Sequence, residues 1–301
     1  MTGPPARLLS QLGLRPASVV AMKDVPLENS SWLAQTRSGE RCALRRYHAG
    51  ATAADLQYEH AVLRYLAGTG WAVPDPVSEL IADGDRFYCL TRYVPGHAVG
   101  PETARQSERR GGDLARLHLA LRGLGERLGQ RPGFRPQHAA VTAHADIDWE
   151  ACARGLTEVS PAHGARLRAA ADRVRTDLAA VGAAELPLMV VHGDFAEWNV
   201  HYARGRLAGV IDFGLTHLDS RPYELAIART WRAPEAAAAY RAVVARHGWA
   251  LSELEEAAIG PVYRAFRVSM AADQVRDGLR AGQFDLPMIE RQIARAETPA
   301  A

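Results

Sequence analysis

Val190-Val191-His192-Gly193-Asp194-Phe195-Ala196-Glu197-Trp198-Asn199-Val200, followed by Gly209-Val210-Ile211-Asp212-Phe213-Gly214, are the two segments on which the reading of this chain turns. In the first, an apolar run ends at Asp194, where a strand can release a polar side chain into a cleft, and a tight loop can fold Asn199 back beside it. In the second, an apolar run ends at Asp212, just before a glycine that permits an unusual backbone turn. The turn at Ala203-Arg204-Gly205 reverses the chain between them, which would return Asp212 to the neighbourhood of Asn199. Taken singly, these residues have plainer readings. An aspartate after an apolar run is more often a strand-end turn or helix cap, and a histidine such as His192 is more often a satisfied structural residue. Together they suit phosphoryl transfer, in which one carboxylate orients the attacking hydroxyl and oxygen ligands hold Mg²⁺ against the β- and γ-phosphates.

Upstream, Ser18 to Tyr47 reads as three strands, with a turn signal at Ser38-Gly39. Ala53 to Ala67 has helical spacing at Leu56, His60, Leu63 and Leu66, stopped by Gly68 and Gly70. Val73 to Ile81 and Arg86 to Tyr93 read as two more strands around the turn Asp83-Gly84-Asp85. Beyond Pro95-Gly96 the patterns are mainly helical, with long periodic stretches at 164–181, 235–247 and 251–279. The expected fold class is therefore α+β in two lobes, a five-stranded antiparallel sheet with one helix in residues 1–94 and a mainly helical lobe in 95–301.

His-x-Asp, an Asn five residues after that Asp, and a later Asp-Phe-Gly match the catalytic-loop and metal-loop pattern of kinases. With glycine at 193, where protein kinases carry arginine, the chain resembles the aminoglycoside phosphotransferase, choline kinase and homoserine-kinase-like group of small-molecule kinases, from about Val19 to about Ala296. The resemblance implies a protein-kinase-like fold. It implies that Asp194 is the catalytic base or hydroxyl-orienting residue, that His192 organises the catalytic loop, and that Asn199 and Asp212 are Mg²⁺ ligands. Asp219-Ser220-Arg221-Pro222-Tyr223-Glu224-Leu225-Ala226 looks like the stretch that follows the metal loop in that group, where Asp219 would brace the loop.

The kinase pattern also asks for a cation on the third strand and an acid on the following helix to hold it. Arg45 stands at the strand position and Glu59 at the helix position. Arginine replaces the usual lysine, offering a bidentate fork in place of a point charge. Strand alternation puts Arg45 on the face of Ala43 and Arg46 on the other. No Gly-x-Gly-x-x-Gly follows the first strand, so Asn29, Ser30 and Ser31 are the expected phosphate-loop residues, through small side chains and backbone N–H groups. The segment Leu90 to Gly96 resembles the hinge, where backbone groups of Arg92 and Val94 would meet the base of ATP or GTP.

Bulk properties remove other classes. A net charge of +2 provides no field for nucleic acid or an anionic membrane. No run approaches the roughly 18 apolar residues of a membrane span, and the first twenty residues lack the apolar core of a signal peptide. Cys42, Cys89 and Cys152 are scattered, which suits a reducing cytoplasm and gives neither zinc site nor disulfide framework. A monomer or homodimer is expected. The acceptor is the open question, because arginines and acids nearly balance from Pro95 onward, where a polycationic aminoglycoside would favour an acidic excess. Asp146, Asp148 and Glu150 are candidates to read an amine, with a solvated helix start as the plainer reading, and Arg264 and Arg267 are candidates to read a carboxylate. The leading expectation is an antibiotic-phosphorylating enzyme. The alternatives are a metabolic amino-alcohol kinase acting on homoserine or choline, and an inactive nucleotide-binding module. A protein kinase is disfavoured, since no Ala-Pro-Glu follows Asp212 and the stretch from Phe213 to Pro222 is too short for an activation segment.

Overall fold

The computed structural model describes residues 4, 6–14, 19–23, 29–36, 38–100, 102–137, 144–145, 147–228 and 233–298. The chain divides into two compact units, residues 1–100 with 198–214, and residues 101–197 with 215–301. The sequence boundary at residue 94 does not anticipate the return of 198–214 to the first unit.

The first unit is built on a five-stranded antiparallel sheet of β1 (Val20–Lys23), β2 (Ser30–Gln35), β3 (Arg41–Arg46), β4 (Ile81–Asp83) and β5 (Arg86–Arg92), in the order β1-β2-β3-β5-β4. Alternation assigns its faces. Trp32, Ala34, Cys42, Leu44, Tyr88 and Leu90 point to one side and are buried there with Leu8, Leu9 and Leu14. Leu8 and Leu9 belong to α1 (Ala6–Gln11), a short helix that sequence patterning did not reveal. On the other face α2 (Ala53–Gly68) starts at a Thr52 cap that accepts from Asp55 N. It buries Leu56, Val62, Leu63 and Leu66, together with Glu59 and His60. The strand expected over Val73 to Ile81 shrinks to its last residue and the turn, because Pro74 and Pro76 cannot donate to a ladder.

The same unit holds the hairpin of β7 (Val200–Ala203) and β8 (Arg206–Val210). Its closeness to the hinge depends on glycine. A Cβ on Gly96 would lie 2.9 Å from Tyr202 O and from Ala208 Cβ, and one on Gly209 would lie 2.4 Å from Val94 Cγ1. Backbone bonds then join the layers, Val210 N to Ala72 O at 3.0 Å and Tyr202 N to His97 O at 3.0 Å.

The second unit is helical: α3 (Ala104–Leu121), α4 (Leu124–Leu128), α5 (Trp149–Val159), α6 (Pro161–Ala180), α7 (Arg221–Ile227), α8 (Pro234–Arg246), α9 (Glu253–Ala281) and α10 (Leu286–Glu297). One strand pair, β6 (Leu188–Val191) with β9 (His217–Ser220), runs antiparallel within it. α3 and α8 approach closely at Gly111, where a Cβ would lie 2.1 Å from Ala236 O. Arg221 ties α7 to the start of α9 by a buried two-pronged pair with Glu255, at 2.7 and 2.6 Å. Such a pair satisfies both charges in place, although their desolvation offsets much of the gain. β9 was not expected as a strand, since His217-Leu218-Asp219-Ser220 has little apolar content to mark it.

Among the described residues no helix is long and apolar enough to cross a membrane. Because α1 supplies two of the side chains that cover the sheet, Leu8→Ala should cost about 2–4 kcal/mol of stability. Urea denaturation followed by tryptophan fluorescence measures this, and an unchanged midpoint would show α1 to be an appendage.

Candidate active site

Each unit carries one part of the residue set singled out in the sequence. In the first unit, register places Ser31 opposite Arg45 and Ser30 opposite Arg46. Arg45 Nη1 donates to Glu59 Oε1 at 2.8 Å, and Nη2 reaches Asp212 Oδ1 at 3.3 Å. The guanidinium lies 5.0 Å from the Tyr47 ring centroid. Burial works against its charge, but Glu59, Tyr47 and Asp212 more than offset that and hold its pKa above the ordinary arginine value. Tyr47 is fixed in turn by His60, whose Nε2 lies 2.8 Å from the phenol oxygen. Burial, with Arg64 and Arg45 nearby, lowers the His60 pKa to about 4, so this ring is neutral near pH 7.

Asp212 follows β8 with φ of 63°, in the left-handed region that costs a non-glycine residue energy. Its carboxylate stays 46% exposed. Ile211 N donates to Asn199 O at 2.9 Å, so the two candidate metal ligands stand on adjacent ends of one hairpin. A cavity of about 250 Å³ opens beside Asp212. The sheet contributes Met22, Ser31, Ala43, Arg45 and Thr91 to it, and the hairpin contributes His201, Ile211 and Asp212. Pro74 and the hinge residues Arg92, Tyr93 and Val94 complete the lining with Asn29.

Several expected residues take up different duties. Ser30 is fully buried on the Trp32 face, away from the cavity, and its hydroxyl accepts from Arg46 Nη2 at 2.7 Å. Strand alternation is the reason, and it leaves Ser31 as the serine on the cavity side. Asn29 Oδ1 accepts from His48 N at 2.9 Å and thereby pins the start of β2 to the chain after β3. Glu59, by contrast, holds Arg45, the partner expected for it. The Arg92 N–H is committed to Asp75 O at 2.8 Å, so its backbone donor is spent within the protein.

In the second unit, β6 delivers the His192-Gly193-Asp194 turn. Gly193 has φ of 86°, and a Cβ there would lie 2.1 Å from Leu215 O, so no larger residue fits this loop. His192 is completely buried, and its Nδ1 accepts from Asp194 N at 3.1 Å. It positions the loop and offers no ring atom to solvent. Asp194 itself is half-buried.

The brace on this loop is Glu224, fully buried on α7. Its carboxylate accepts from three successive parts of the loop, His192 N, Gly193 N at 3.1 Å and Phe195 N at 3.4 Å. His118 Nε2 stands 3.8 Å away, an electrostatic neighbour more than a hydrogen bond, while its Nδ1 meets Tyr240 OH at 2.8 Å. Burial works to raise the Glu224 pKa, but the facing histidines and the loop's N–H donors outweigh it and keep the carboxyl below its usual range. On the carbonyl side, buried Arg110 donates to Ala228 O at 2.6 Å and reaches Phe195 O at 3.4 Å. Asp219, expected to brace the loop, instead accepts from Gln137 N at 2.8 Å and Ser220 N at 2.6 Å, and lies 3.2 Å from His217 Nε2. The sequence reading missed Arg110 and His118 altogether. Their signal was a charged and a titratable residue on the apolar face of a helix.

The acceptor candidates are occupied. Asp148 caps α5, accepting from Glu150 N and Ala151 N, both at 3.0 Å. Arg264 pairs with Asp177 at 2.8 Å, and Arg267 lies over the Tyr263 ring and donates to Gln292 Oε1 at 3.2 Å. Asp146 lies outside the described residues.

Glu224→Gln would set an amide donor against N–H donors, at an expected cost of about 1–3 kcal/mol. Thermal and urea unfolding measure it, and wild-type stability would show that the loop is held by other contacts.

Residues 25–257 match the phosphotransferase enzyme family, APH. The homoserine kinase of Gluconobacter oxydans is 30% identical over 206 residues, which cover 67% of this chain and 62% of that protein. This chain thus spans less than two thirds of that curated relative's length. Among solved structures, amicoumacin kinase in complex with AMP-PNP and Ca²⁺ is similar with a TM-score of 0.73 at 15% identity, over 99% of this chain and 95% of that one. A thermostable mutant of an aminoglycoside phosphotransferase, in ternary complex with ADP and hygromycin B, has a TM-score of 0.66 at 19% identity, covering 98% and 97%. At these identities the likeness is one of fold, the two-lobed protein-kinase-like α+β class. By its sequence, this chain belongs to the phosphotransferase enzyme family.

Proposed function

We infer that this chain is an O-kinase that moves the γ-phosphoryl group of ATP, or of GTP, onto a hydroxyl of a small molecule. The observation that carries the reading is the Arg45 fork, which joins Glu59 of α2 to Asp212 at the edge of a cavity lined by hinge residues. A buried cation held on one side by a carboxylate and reaching on the other to an exposed one is what phosphate binding next to a metal loop requires.

In this reading the triphosphate lies along Arg45, with Ser31 and backbone N–H groups near Asn29 cradling it. Asp194 accepts a hydrogen bond from the acceptor hydroxyl and takes its proton as that oxygen attacks the γ-phosphorus. The bond from γ-phosphorus to the β–γ bridging oxygen breaks, and the nucleoside diphosphate leaves. Hydroxyl orientation by the carboxylate matters more here than basicity, since phosphoryl transfer is governed by positioning and charge stabilisation.

Asp212 and Asn199 fit Mg²⁺. Both offer hard oxygen donors, and the exposed Asp212 carboxylate is aimed by its left-handed backbone. Among the described residues no cluster of three or more His, Cys, Asp or Glu forms a dedicated cage. Mg²⁺ suits such a sparse set, because it commonly takes one or two protein oxygens and completes its shell with water and substrate phosphates. When bound it would neutralise charge on the β- and γ-phosphates.

For the acceptor, the sequence relative named homoserine kinase favours a small amino alcohol. The antibiotic reading has support only from structures too distant in sequence to speak to substrate. The near balance of charge from Pro95 onward also speaks against a polycation. A functional division at residue 94, a cytoplasmic setting, and a monomer or homodimer that binds neither nucleic acid nor membrane belong to the same reading. The three buried free cysteines agree with the setting.

Nucleotide consumption, measured across amino alcohols and hydroxylated antibiotics with ATP or GTP and Mg²⁺, tests the proposal. Nucleotide binding without turnover of any acceptor would favour an inactive binding module. Asp194→Ala is expected to retain nucleotide affinity and lose kcat by about 10³-fold or more, and near-normal turnover would refute its role. Asp212→Asn should weaken Mg²⁺-dependent nucleotide binding by about tenfold or more, and an unchanged metal titration would count against ligation.

A further inference from the structure

The first unit holds a second concavity, a groove of about 720 Å³ formed between the end of α2 and the end of β5. The last turn of α2 leaves it open, since a Cβ on Gly68 or on Gly70 would meet nothing within 4 Å. Trp71, Val73 and Pro76 give the groove its apolar lining, and Arg64, Arg92 and Asp75 give it charge of both signs. Arg64 and Arg92 are exposed and Asp75 is half-buried, and none of these three side chains makes a hydrogen bond or ion pair with any of the described residues. One exposed arginine is ordinary surface. Two guanidiniums, a carboxylate and an indole that line one groove and are not spent on each other are a set of recognition groups. Guanidinium takes a carboxylate by a two-pronged bond, a carboxylate accepts from an ammonium, and an indole covers an apolar body. A molecule that offers all three is a zwitterion with a large apolar side chain.

The groove and the cavity beside Asp212 share a wall. Val73 and Asp75 line the groove, while Pro74 between them lines the other cavity. Ala72 also lines the groove, and its carbonyl accepts from Val210 N at 3.0 Å, two residues before Asp212. Asp75 O accepts from Arg92 N at 2.8 Å, which fixes this wall to β5. The Arg92 side chain borders both spaces. Drawn to a carboxylate in the groove, its guanidinium would leave less positive charge for a phosphate-bearing ligand in the other cavity, and such coupling between sites is reciprocal.

We propose that this groove is a regulatory site for an amino acid with an apolar, aromatic-sized side chain, and that its occupancy weakens nucleotide binding on the other side of the wall. The site stands apart from the nucleotide reading, and its regulatory effect rests on that reading. Calorimetric titration of the full chain tests the site with L-phenylalanine and with phenylpropionate, which lacks the ammonium. Wild type, Arg64→Ala and Asp75→Asn are compared, each checked by thermal unfolding. The expected result is saturable L-phenylalanine binding to wild type, about tenfold weaker in Arg64→Ala, which keeps its Mg·ATP affinity. Wild type should prefer L-phenylalanine to phenylpropionate, and Asp75→Asn should lose that preference. No saturable L-phenylalanine binding to wild type, or equal binding in Arg64→Ala, would overturn the site. Titration of Mg·ATP with and without saturating L-phenylalanine tests the coupling, with an expected loss of about fivefold or more in Mg·ATP affinity. Unchanged Mg·ATP affinity in the L-phenylalanine complex would overturn the regulatory role. Wild type that binds L-phenylalanine and fails to bind Mg·ATP would bring down the nucleotide reading, and the regulatory role with it, while the groove stands as a binding site.

Discussion

A guanidinium taken out of water must find charge and hydrogen-bond acceptors in the protein, or the fold is penalised by several kcal/mol. Arg45 is 8% exposed and meets that demand with two carboxylates from distant parts of the chain, Glu59 and Asp212. Much of the first unit follows. α2 is held in the register that presents Glu59, and Tyr47 and His60 pack behind the cation. The hairpin that carries Asp212 is fastened to the hinge by glycines too small to keep it away. Lysine, a single point charge, could not span both acids with a rigid fork. The substitution of arginine for lysine at this strand position is therefore a structural choice as well as a chemical one.

The loop from His192 to Phe195 meets a different demand. It must hold an aspartate at a strand end. The solution is to fix the backbone from both sides, with Glu224 collecting its N–H groups and Arg110 reaching its carbonyl. His192 contributes a ring nitrogen to the turn, accepting from Asp194 N. Glycine at 193 is part of the same arrangement, because the loop passes so close to Leu215 that a single methyl group would collide.

Much of this was legible in the sequence, and the exceptions have physical reasons. The strands and helices with clear apolar periodicity stand where alternation and helical spacing put them, and the strand-three position together with alternation selected Arg45 over Arg46. What failed to show was of three kinds. Proline-interrupted chain at Val73 to Ile81 looks apolar enough for a strand but lacks the donors to make one. Polar strands such as β9, and helices of one or two turns such as α1, carry too few apolar residues to declare themselves. Buried polar residues such as Arg110, His118 and Glu224 gain meaning only from partners far away in sequence. The phosphate loop suffered from a related limit, since Ser30 and Ser31 are chemically identical and only strand register shows that one of them serves Arg46.

The discontinuity of the first unit bears on how the molecule is made. Its first hundred residues leave the ribosome well before the hairpin at 198–214 that completes the unit. At roughly 5–20 residues per second, the intervening stretch takes on the order of 5–20 s to synthesise. During that interval the nascent sheet has α1 and α2 for cover, while Val94 and Ala72 wait for Gly209. Completion of the first unit thus waits on translation as far as residue 214, by which point much of the second unit has also been made.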